Sequence, residues 1–354
     1  MPFSLGLTMS TLSGDWREGI DDVDAAIIDG YQSGVPVEER PFRSIGAALG
    51  IGEDEALERV TRLHESGIVR RFGAVLNPPV IGSSTLAAVQ APADRFDEIA
   101  AVINEYRQVN HNYARDHEWN MWFVVTAGSR ARRDEILAEI EARTGCPVLN
   151  LPMLTDYYID LEFPVVNADR FARESLEERL DSSATRISEE ATGDLSALEA
   201  ELLLAIQDGF PLSATPYRDI AGEIGYAVGD VLEGVERLVA SGCIKRIGCV
   251  VNHVVTGFDA NCMVVWDVPD DRLDEWGERA GGLPYVTLCY HRPRRPDREW
   301  SYNLFTMIHG RDSDAVDAKI DDLATEYLPV EHERLYSTET LKQTGARYEE
   351  LVGR

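Results

Sequence analysis

Five of the chain's seven histidines, His111, His117, His253, His291 and His309, fall in or near two short stretches or the strand hairpins. Imidazole is the side chain best suited to moving protons near neutral pH, so this concentration points to acid–base work. The first stretch reads Val109-Asn-His-Asn-Tyr-Ala-Arg-Asp-His-Glu-Trp-Asn-Met-Trp-Phe-Val-Val. The second reads Val286-Thr-Leu-Cys-Tyr-His-Arg-Pro-Arg-Arg-Pro-Asp-Arg-Glu-Trp-Ser-Tyr-Asn-Leu-Phe-Thr-Met-Ile-His-Gly. Tyr113 aligns with Tyr290, Arg115 with Arg292, Trp119 with Tyr302 and Asn120 with Asn303, the second copy carrying a longer loop. Trp119, Trp122, Trp300 and Tyr302 interleave with the histidines. Arg292, Arg294, Arg295 and Arg298 crowd into seven residues of a chain whose net charge is -28. Guanidinium groups bind carboxylates in a fork. Imidazole, guanidinium and flat aromatic groups together suit a large, planar, polyanionic ligand.

The bulk composition narrows the classes further. With 354 residues, 44% of them hydrophobic, the chain can build two or more domains with real cores. No apolar run is long enough to span a membrane. The N-terminal stretch lacks a basic region followed by an apolar one, so it reads as a loose leader and the protein as cytoplasmic. The charge argues against nonspecific affinity for nucleic acid or an anionic membrane. Only three lysines occur, Lys245, Lys319 and Lys342, and acid-rich, lysine-poor composition is what a high-salt cytoplasm selects. The five cysteines form no CxxC pair, so neither a disulfide framework nor a zinc site is expected. No glycine-rich phosphate loop is present.

The elements that must position these residues come as a repeat. Adding 175 to Gly34-Val35-Pro36 gives Gly209-Phe210-Pro211, and the register holds without a gap for nearly fifty residues. Arg43 matches Arg218, Gly50 matches Gly225, Leu63 matches Leu238, Gly67 matches Gly242, Gly73 matches Gly248 and Asn77 matches Asn252. The chain is a tandem duplication, or a fusion of two homologous subunits. Each half opens with a helix (Asp22 to Gln32; Ser196 to Asp208). A short helix ending at a glycine cap, Gly50 in the first half, follows. An amphipathic helix with Ala56, Val60 and Leu63 at helical spacing comes next, then a strand (Ile68 to Leu76; Cys243 to Val251). The remainder alternates as β-α-β-β-α-β, from Thr85 to Phe163 and from Asn261 to Leu341.

The fold class expected is α+β: two tandem copies of a winged helix-turn-helix plus a ferredoxin-like (β-α-β-β-α-β) sandwich domain. The divisions are a leader (1–19), a helix-turn-helix domain (20–82), a ferredoxin-like domain (83–165), an acidic linker (166–193), a second helix-turn-helix domain (194–257) and a second ferredoxin-like domain (258–354).

This order resembles the Lrp/AsnC family of transcription regulators, twice over. A recognition helix must present basic or amide groups to DNA. Here the first candidate opens with Glu53, Asp54 and Glu55, and the second sets Asp230, Glu233 and Glu236 against Arg237. Those faces repel phosphate, so the helix-turn-helix is expected to serve as a structural or dimerising element, with no DNA partner.

A narrower resemblance follows from longer motifs. Arg70-Arg-Phe-Gly-Ala-Val-Leu-Asn77, the segment from His111 to Phe123, and Asn150-Leu-Pro-Met-Leu in the first half are similar to one subunit of the siroheme decarboxylases. Lys245-Arg-Ile-Gly-Cys-Val-Val-Asn-His253, the segment from Cys289, Trp300 to Gly310, and Lys342-Gln-Thr-Gly-Ala-Arg-Tyr348 resemble the other. The resemblance implies non-oxidative removal of two acetate carboxylates from siroheme, giving 12,18-didecarboxysiroheme for the alternative haem route or haem d1. It implies no cofactor beyond the iron of the substrate, no metal site, and a pseudo-dimer within one chain, open to further homo-oligomerisation. The alternative is an Lrp/AsnC-type regulator sensing haem or another metabolite. His111 and His117 are the expected acid–base pair. Arg115, Arg292 and Arg294 are expected to position carboxylates, and Tyr113, Trp119, Tyr290 and Trp300 to wall the macrocycle. Asn120, His291, Tyr302, His309 and Lys342 complete the expected contacts, with His111 or His291 as candidate iron ligands. Trp122 and Phe305 are expected in the sheet core. The family's second subunit usually has His where this chain has Leu288. Either one of the two equivalent sites is competent, or His291 substitutes.

Overall fold

The computed structural model describes residues 18–159, 185–186, 195–252, 260–310 and 312–348. His253, most of the expected linker and nearly all of the leader lie outside them.

Each half opens with three helices. In the first they are α1 (Asp22–Gly30), α2 (Pro41–Leu49) and α3 (Glu53–Glu65), followed by β1 (Val69–Leu76). Asp21 and Asp24 form a reciprocal capping box at the start of α1. Pro41 occupies the first turn of α2, and Gly50 ends it in the left-handed region at φ 72°. A short helix, α4 (Pro78–Ile81), leads into the sandwich. The second half repeats the pattern with α7 (Ala197–Ile206), α8 (Pro216–Ile224), α9 (Val228–Ala240) and β8 (Ile244–Val251). Ser196 and Glu199 make the equivalent capping box.

The two helix-turn-helix units share one core. β1 pairs antiparallel with β8, and Ile27, Phe42, Phe72, Phe210, Tyr217 and Val235 are buried in a single cluster. Each unit also lays the chain after its first helix across the other's strand. Val35 N–H donates to Ile247 O at 3.1 Å and Phe210 N–H to Phe72 O at 2.7 Å. These crossings need Gly73 and Gly248. Gly73 sits at φ +146°, and a Cβ there would lie 2.8 Å from the Phe210 nitrogen. Two paired glycines of the repeat are thereby explained by backbone approach.

The first sandwich domain contains β2 (Ser83–Val89), α5 (Phe96–Glu105), β3 (Val109–Arg115), β4 (Met121–Ala127), α6 (Arg130–Thr144) and β5 (Val148–Pro152). The second contains β9 (Ala260–Trp266), α10 (Leu273–Gly281), β10 (Val286–His291), β11 (Leu304–Gly310), α11 (Ser313–Asp322) and β12 (His332–Gln343). Strand orders β5-β2-β4-β3 and β12-β9-β11-β10 both match the ferredoxin-like arrangement.

The expected single final strand of the first half is in fact two. After β5 the chain leaves its own sheet, and β6 (Thr155–Ile159) pairs with β10 of the other half. β12 does the same in reverse: residues 332–336 pair with β9, and residues 337–343 pair with β3. With a two-residue strand, β7 (Thr185–Arg186), at its edge, the sheet runs continuously through ten strands.

Strand alternation then sorts the side chains into layers. Ala87, Phe123 and Val125 pack under α5 and α6, while Val264, Cys289 and Ile308 pack under α10 and α11. Leu86, Trp122, Leu149, Met263, Val265, Phe305 and Leu335 point the other way and meet in a core between the two sheets. Trp122 and Phe305 are sheet core, as expected.

Candidate functional site

On β3, His111 is opposite Val124 and Tyr113 opposite Trp122, so both face the space between the sheets. Arg115 follows on the same face. The pseudo-equivalent residues are Leu288 and Tyr290 on β10 and Arg292 just after it, with Tyr290 opposite Phe305. Each arginine reaches across to the other half: Arg115 Nη1 donates to Leu335 O on β12, and Arg292 Nη1 to Leu151 O on β5. Arg115 is 7% exposed and Arg292 9%. Arg115 lies over the Tyr113 ring at 5.9 Å and Arg292 over the Tyr290 ring at 4.6 Å.

Neither arginine has a carboxylate partner among the described residues, and the Nε of each is buried with no hydrogen bond. Burial pulls both guanidinium pKa values down from their ordinary range. A fully desolvated cation without a counter-ion is unusual, because stranding it costs several kcal/mol, roughly. Such a group is poised to receive an anion.

His111 is the free imidazole of this face. Its ring lies 6.0 Å from that of Tyr113, and neither ring nitrogen has a hydrogen bond among the described residues. Burial pulls its pKa down to about 4, and the positive charge of Arg70 adds to the shift. The unliganded imidazole is therefore neutral near pH 7. Arg70 lies on β1, outside the histidine-rich stretches. It has no ion-pair partner among the described residues, and in the sequence it stands out only as part of the 70–77 motif.

Other expected contacts are spent on the framework. His117 Nδ1 accepts the Trp119 N–H at 2.9 Å, and its Nε2 is bonded to the Glu333 carboxylate, so both ring nitrogens are occupied. The Asn120 side chain clamps both backbone groups of Ala91 at 2.8 and 2.9 Å, as Asn303 clamps Val268. Lys342 caps the end of α5 through the carbonyls of Asn104 and Tyr106, both at 2.8 Å, and does not reach the inter-sheet face. Arg294 is bound to Asp267, Asp270 and the carbonyls of Val268 and Ser301. Trp119, Trp300 and Tyr302 are at most 7% exposed and pack into the inter-sheet core rather than lining open space. Tyr290, 8% exposed, belongs to the same core but remains in contact with Arg292.

His291 is on the wrong face to replace an imidazole at position 288. It is opposite Leu304, one residue out of phase with Tyr290, and lines a separate cavity of about 520 Å³ with Thr155, Asp270, Asp274 and Arg294. Its expected roles as iron ligand or substitute are incompatible with that placement. His309 does lie on the inter-sheet face, beyond Met307, with Nδ1 2.8 Å from Thr287 Oγ1.

The remaining histidines are structural: His64 bonds Val69 O at 3.0 Å, and His332 stacks on Trp266 at 4.6 Å. The five cysteines are buried free thiols. Among the described residues no group of three His, Cys, Asp or Glu side chains could hold a metal ion. No helix among them is long and apolar enough to cross a membrane. The outer surfaces of α3 and α9 expose Asp54, Glu55, Glu58, Asp230, Glu233 and Glu236.

Two halves joined through exchanged strands, with two buried arginines that have no carboxylate partner among the described residues, define a protein of the AsnC-like class. The AsnC-like ligand binding domain matches residues 81–157 and 255–342, and the siroheme decarboxylase NirDL-like HTH domain matches residues 24–70 and 199–244. The chain is 36% identical to the siroheme decarboxylase NirDL subunit of Paracoccus denitrificans, over 94% of this chain and 99% of that one. It is 46% identical to the NirD subunit of Pseudomonas aeruginosa over 41% of this chain and 97% of that one. The chain belongs to the siroheme decarboxylase family. A crystal structure of siroheme decarboxylase NirDL with an iron-uroporphyrin III analogue superposes with a TM-score of 0.68 at 25% identity, covering 94% of this chain and 95% of that one.

Proposed function

We propose that this chain is a carboxy-lyase of the cytoplasm that removes carbon dioxide from two acetate side chains of siroheme, giving 12,18-didecarboxysiroheme. The observation that carries the reading is the pair of buried, acid-free arginines on the inter-sheet face, with an unpartnered imidazole on the strand that carries one of them, in a chain of this family. Siroheme brings its own iron and eight carboxylates. Arg115 and Arg292 bind substrate carboxylates in a dry setting where a fixed cation is worth far more than in water.

At the reacting acetate the bond between methylene and carboxyl carbon breaks, its electron pair stays on the methylene carbon, and carbon dioxide leaves. That carbon then takes one proton and becomes a methyl group, so no oxidant enters. Approach of anionic groups raises the pKa of His111 from its low resting value. The imidazole takes up a proton on binding and delivers it to the carbon. Tyr113 holds the macrocycle beside the ring. His117, tied to Glu333 and to the Trp119 amide, keeps the β3–β4 turn in position. A DNA-reading function is disfavoured by the acidic outer faces of α3 and α9.

The test is anaerobic incubation of the purified chain with siroheme at high salt, followed by mass spectrometry of the tetrapyrrole. Loss of two carbon dioxide units is expected. An unchanged mass with a shifted absorption spectrum would leave a binding protein and refute the activity.

A further inference from the structure

We infer that the C-terminal segment 344–348 is a strap that holds the joined helix-turn-helix units, and with them Arg70, against the first half's His111 strand, and that Tyr348 at its end is a positioning residue. This rests on the decarboxylase reading and gives a task to two parts of the chain that the reading leaves idle, the tail and the helix-turn-helix units.

The path of the tail carries the inference. β12 ends at Gln343, which is paired with His111 on β3. From there the chain crosses the surface: Gln343, Thr344 and Gly345 are exposed, and Thr344 N–H donates to Asn110 O at 2.7 Å. It then enters the core shared by the helix-turn-helix units. Tyr348 is 2% exposed in the cluster that holds Phe72 and Tyr217, and Ala346 packs against it. No other described residue beyond Val251 belongs to that cluster. Arg347 pairs with Asp208 at 2.6 Å, and Tyr348 N–H donates to Gln207 Oε1 at 3.2 Å. The carbonyl of Gln207 in turn accepts Nη1 of Arg71 on β1 at 2.7 Å. Arg71 is the chain neighbour of Arg70. The strap therefore starts at the strand partner of His111 and ends one hydrogen-bonded link from Arg70. Five residues span at most about 18 Å, so β1 and β3 cannot part far while both ends hold.

The two ends of the β1–β8 ribbon are secured differently. On β8, Lys245 Nζ lies 3.5 Å from the Asp156 carboxylate of β6, so a cation does the fastening. Arg70 matches Lys245 in the repeat, yet it is exposed with no ion-pair partner among the described residues. The residue opposite Tyr113 is the uncharged Thr340, whereas Asp156 is opposite Tyr290. With the tail fastening this end, the Arg70 charge is left for a polycarboxylate, and it bears on both His111 and Tyr113. A helix-turn-helix pair whose acidic faces repel DNA phosphate thus serves as the arm that presents Arg70.

The test uses the full chain with two glycines inserted after Gly345, which slackens the strap and leaves Tyr348 in its socket. Gly345 is exposed and uncrowded, so the insertion should fold. Siroheme binding, followed anaerobically by absorption, is expected to weaken about fivefold, the worth of one exposed charge contact, with the unfolding midpoint unchanged. The His111 imidazole, titrated by NMR in the unliganded chain, is expected to move up from about 4 as Arg70 draws back. In an Arg70→Gln background the insertion is expected to cost nothing further. Tyr348→Ala is expected to reproduce the weaker binding together with lower stability. Tyr348→Phe is expected to restore both, because the hydroxyl has no hydrogen bond among the described residues. An insertion variant with wild-type affinity and an unmoved His111 overturns the inference. So does an insertion whose cost adds in full to that of Arg70→Gln. The His111 titration needs no substrate, so a chain that left siroheme intact would sink the decarboxylase reading and still report on the strap.

Discussion

Replacing Arg115 by methionine should separate stability from function. The free protein holds this guanidinium out of water with one carbonyl acceptor, Leu335 O, and the face of Tyr113 at 5.9 Å, while Nε has no partner. A hydrogen bond to a charged group contributes about 1.5–3 kcal/mol, and a desolvated cation over a ring about 2 kcal/mol. Desolvating the ion costs several kcal/mol, roughly, even after the protein relaxes around it. The balance leaves Arg115 a net burden of about 1–3 kcal/mol on the unliganded fold. Methionine fills most of the same volume without the charge. Denaturant unfolding of Arg115→Met should therefore show unchanged stability, or a gain of that size, with an unaltered denaturant slope. Siroheme affinity should fall by about tenfold to a hundredfold, the loss of one charge-assisted carboxylate contact. A variant that loses more than about 2 kcal/mol and binds siroheme as before would make Arg115 a rivet between β3 and β12, and the anion-site reasoning would be wrong.

Other outcomes follow from the same structure. The pKa of His111 is about 4 folded against an ordinary 6.5, so the unfolded chain binds more protons between those values. This contribution is fully present above pH 6.5 and is lost as pH falls toward 4, up to about 3 kcal/mol. His111→Gln should flatten that part of the stability–pH curve, and a curve parallel to wild type refutes the assignment. Gly73→Ala forces a side chain into the φ +146° region and against the Phe210 nitrogen. It should cost about 2–4 kcal/mol in thermal or denaturant unfolding, whereas a neutral substitution would show that the crossing can relax. Duplex DNA should show no mobility shift at micromolar protein and low salt, and a shift that weakens as salt rises would revive the regulator reading.

Much of the architecture is written along the chain. The repeat, the capping glycines Gly50 and Gly225, the helical spacing of Ala56, Val60 and Leu63, and the β-α-β-β-α-β order are local patterns, and local hydrogen bonding and burial realise them directly. The same holds for His111, Tyr113 and Arg115, because a period of two places alternate residues of a strand on one face whatever the sheet packs against. That rule also sets His291 one step out of phase with Tyr290 and Arg292, although residue type alone made it attractive.

What the chain order does not contain is which surfaces meet. Whether Asn120, Lys342 and Arg294 face ligand or framework depends on partners more than twenty residues away: Ala91 for the first, α5 for the second, Asp267 and Asp270 for the third. Glu333 and Arg70 belong to the site's surroundings only because β12 and β1 arrive there through the fold. The exchange of β6 and of the second part of β12 between halves brings the two sheets together, so that Leu151 and Leu335 meet the opposite arginines, and sets Asp156 against Tyr290. Sequence determines the chemical groups and the strand face each one takes. Long-range strand pairing and the desolvation it imposes decide which of those groups remain unpaired and available to a ligand.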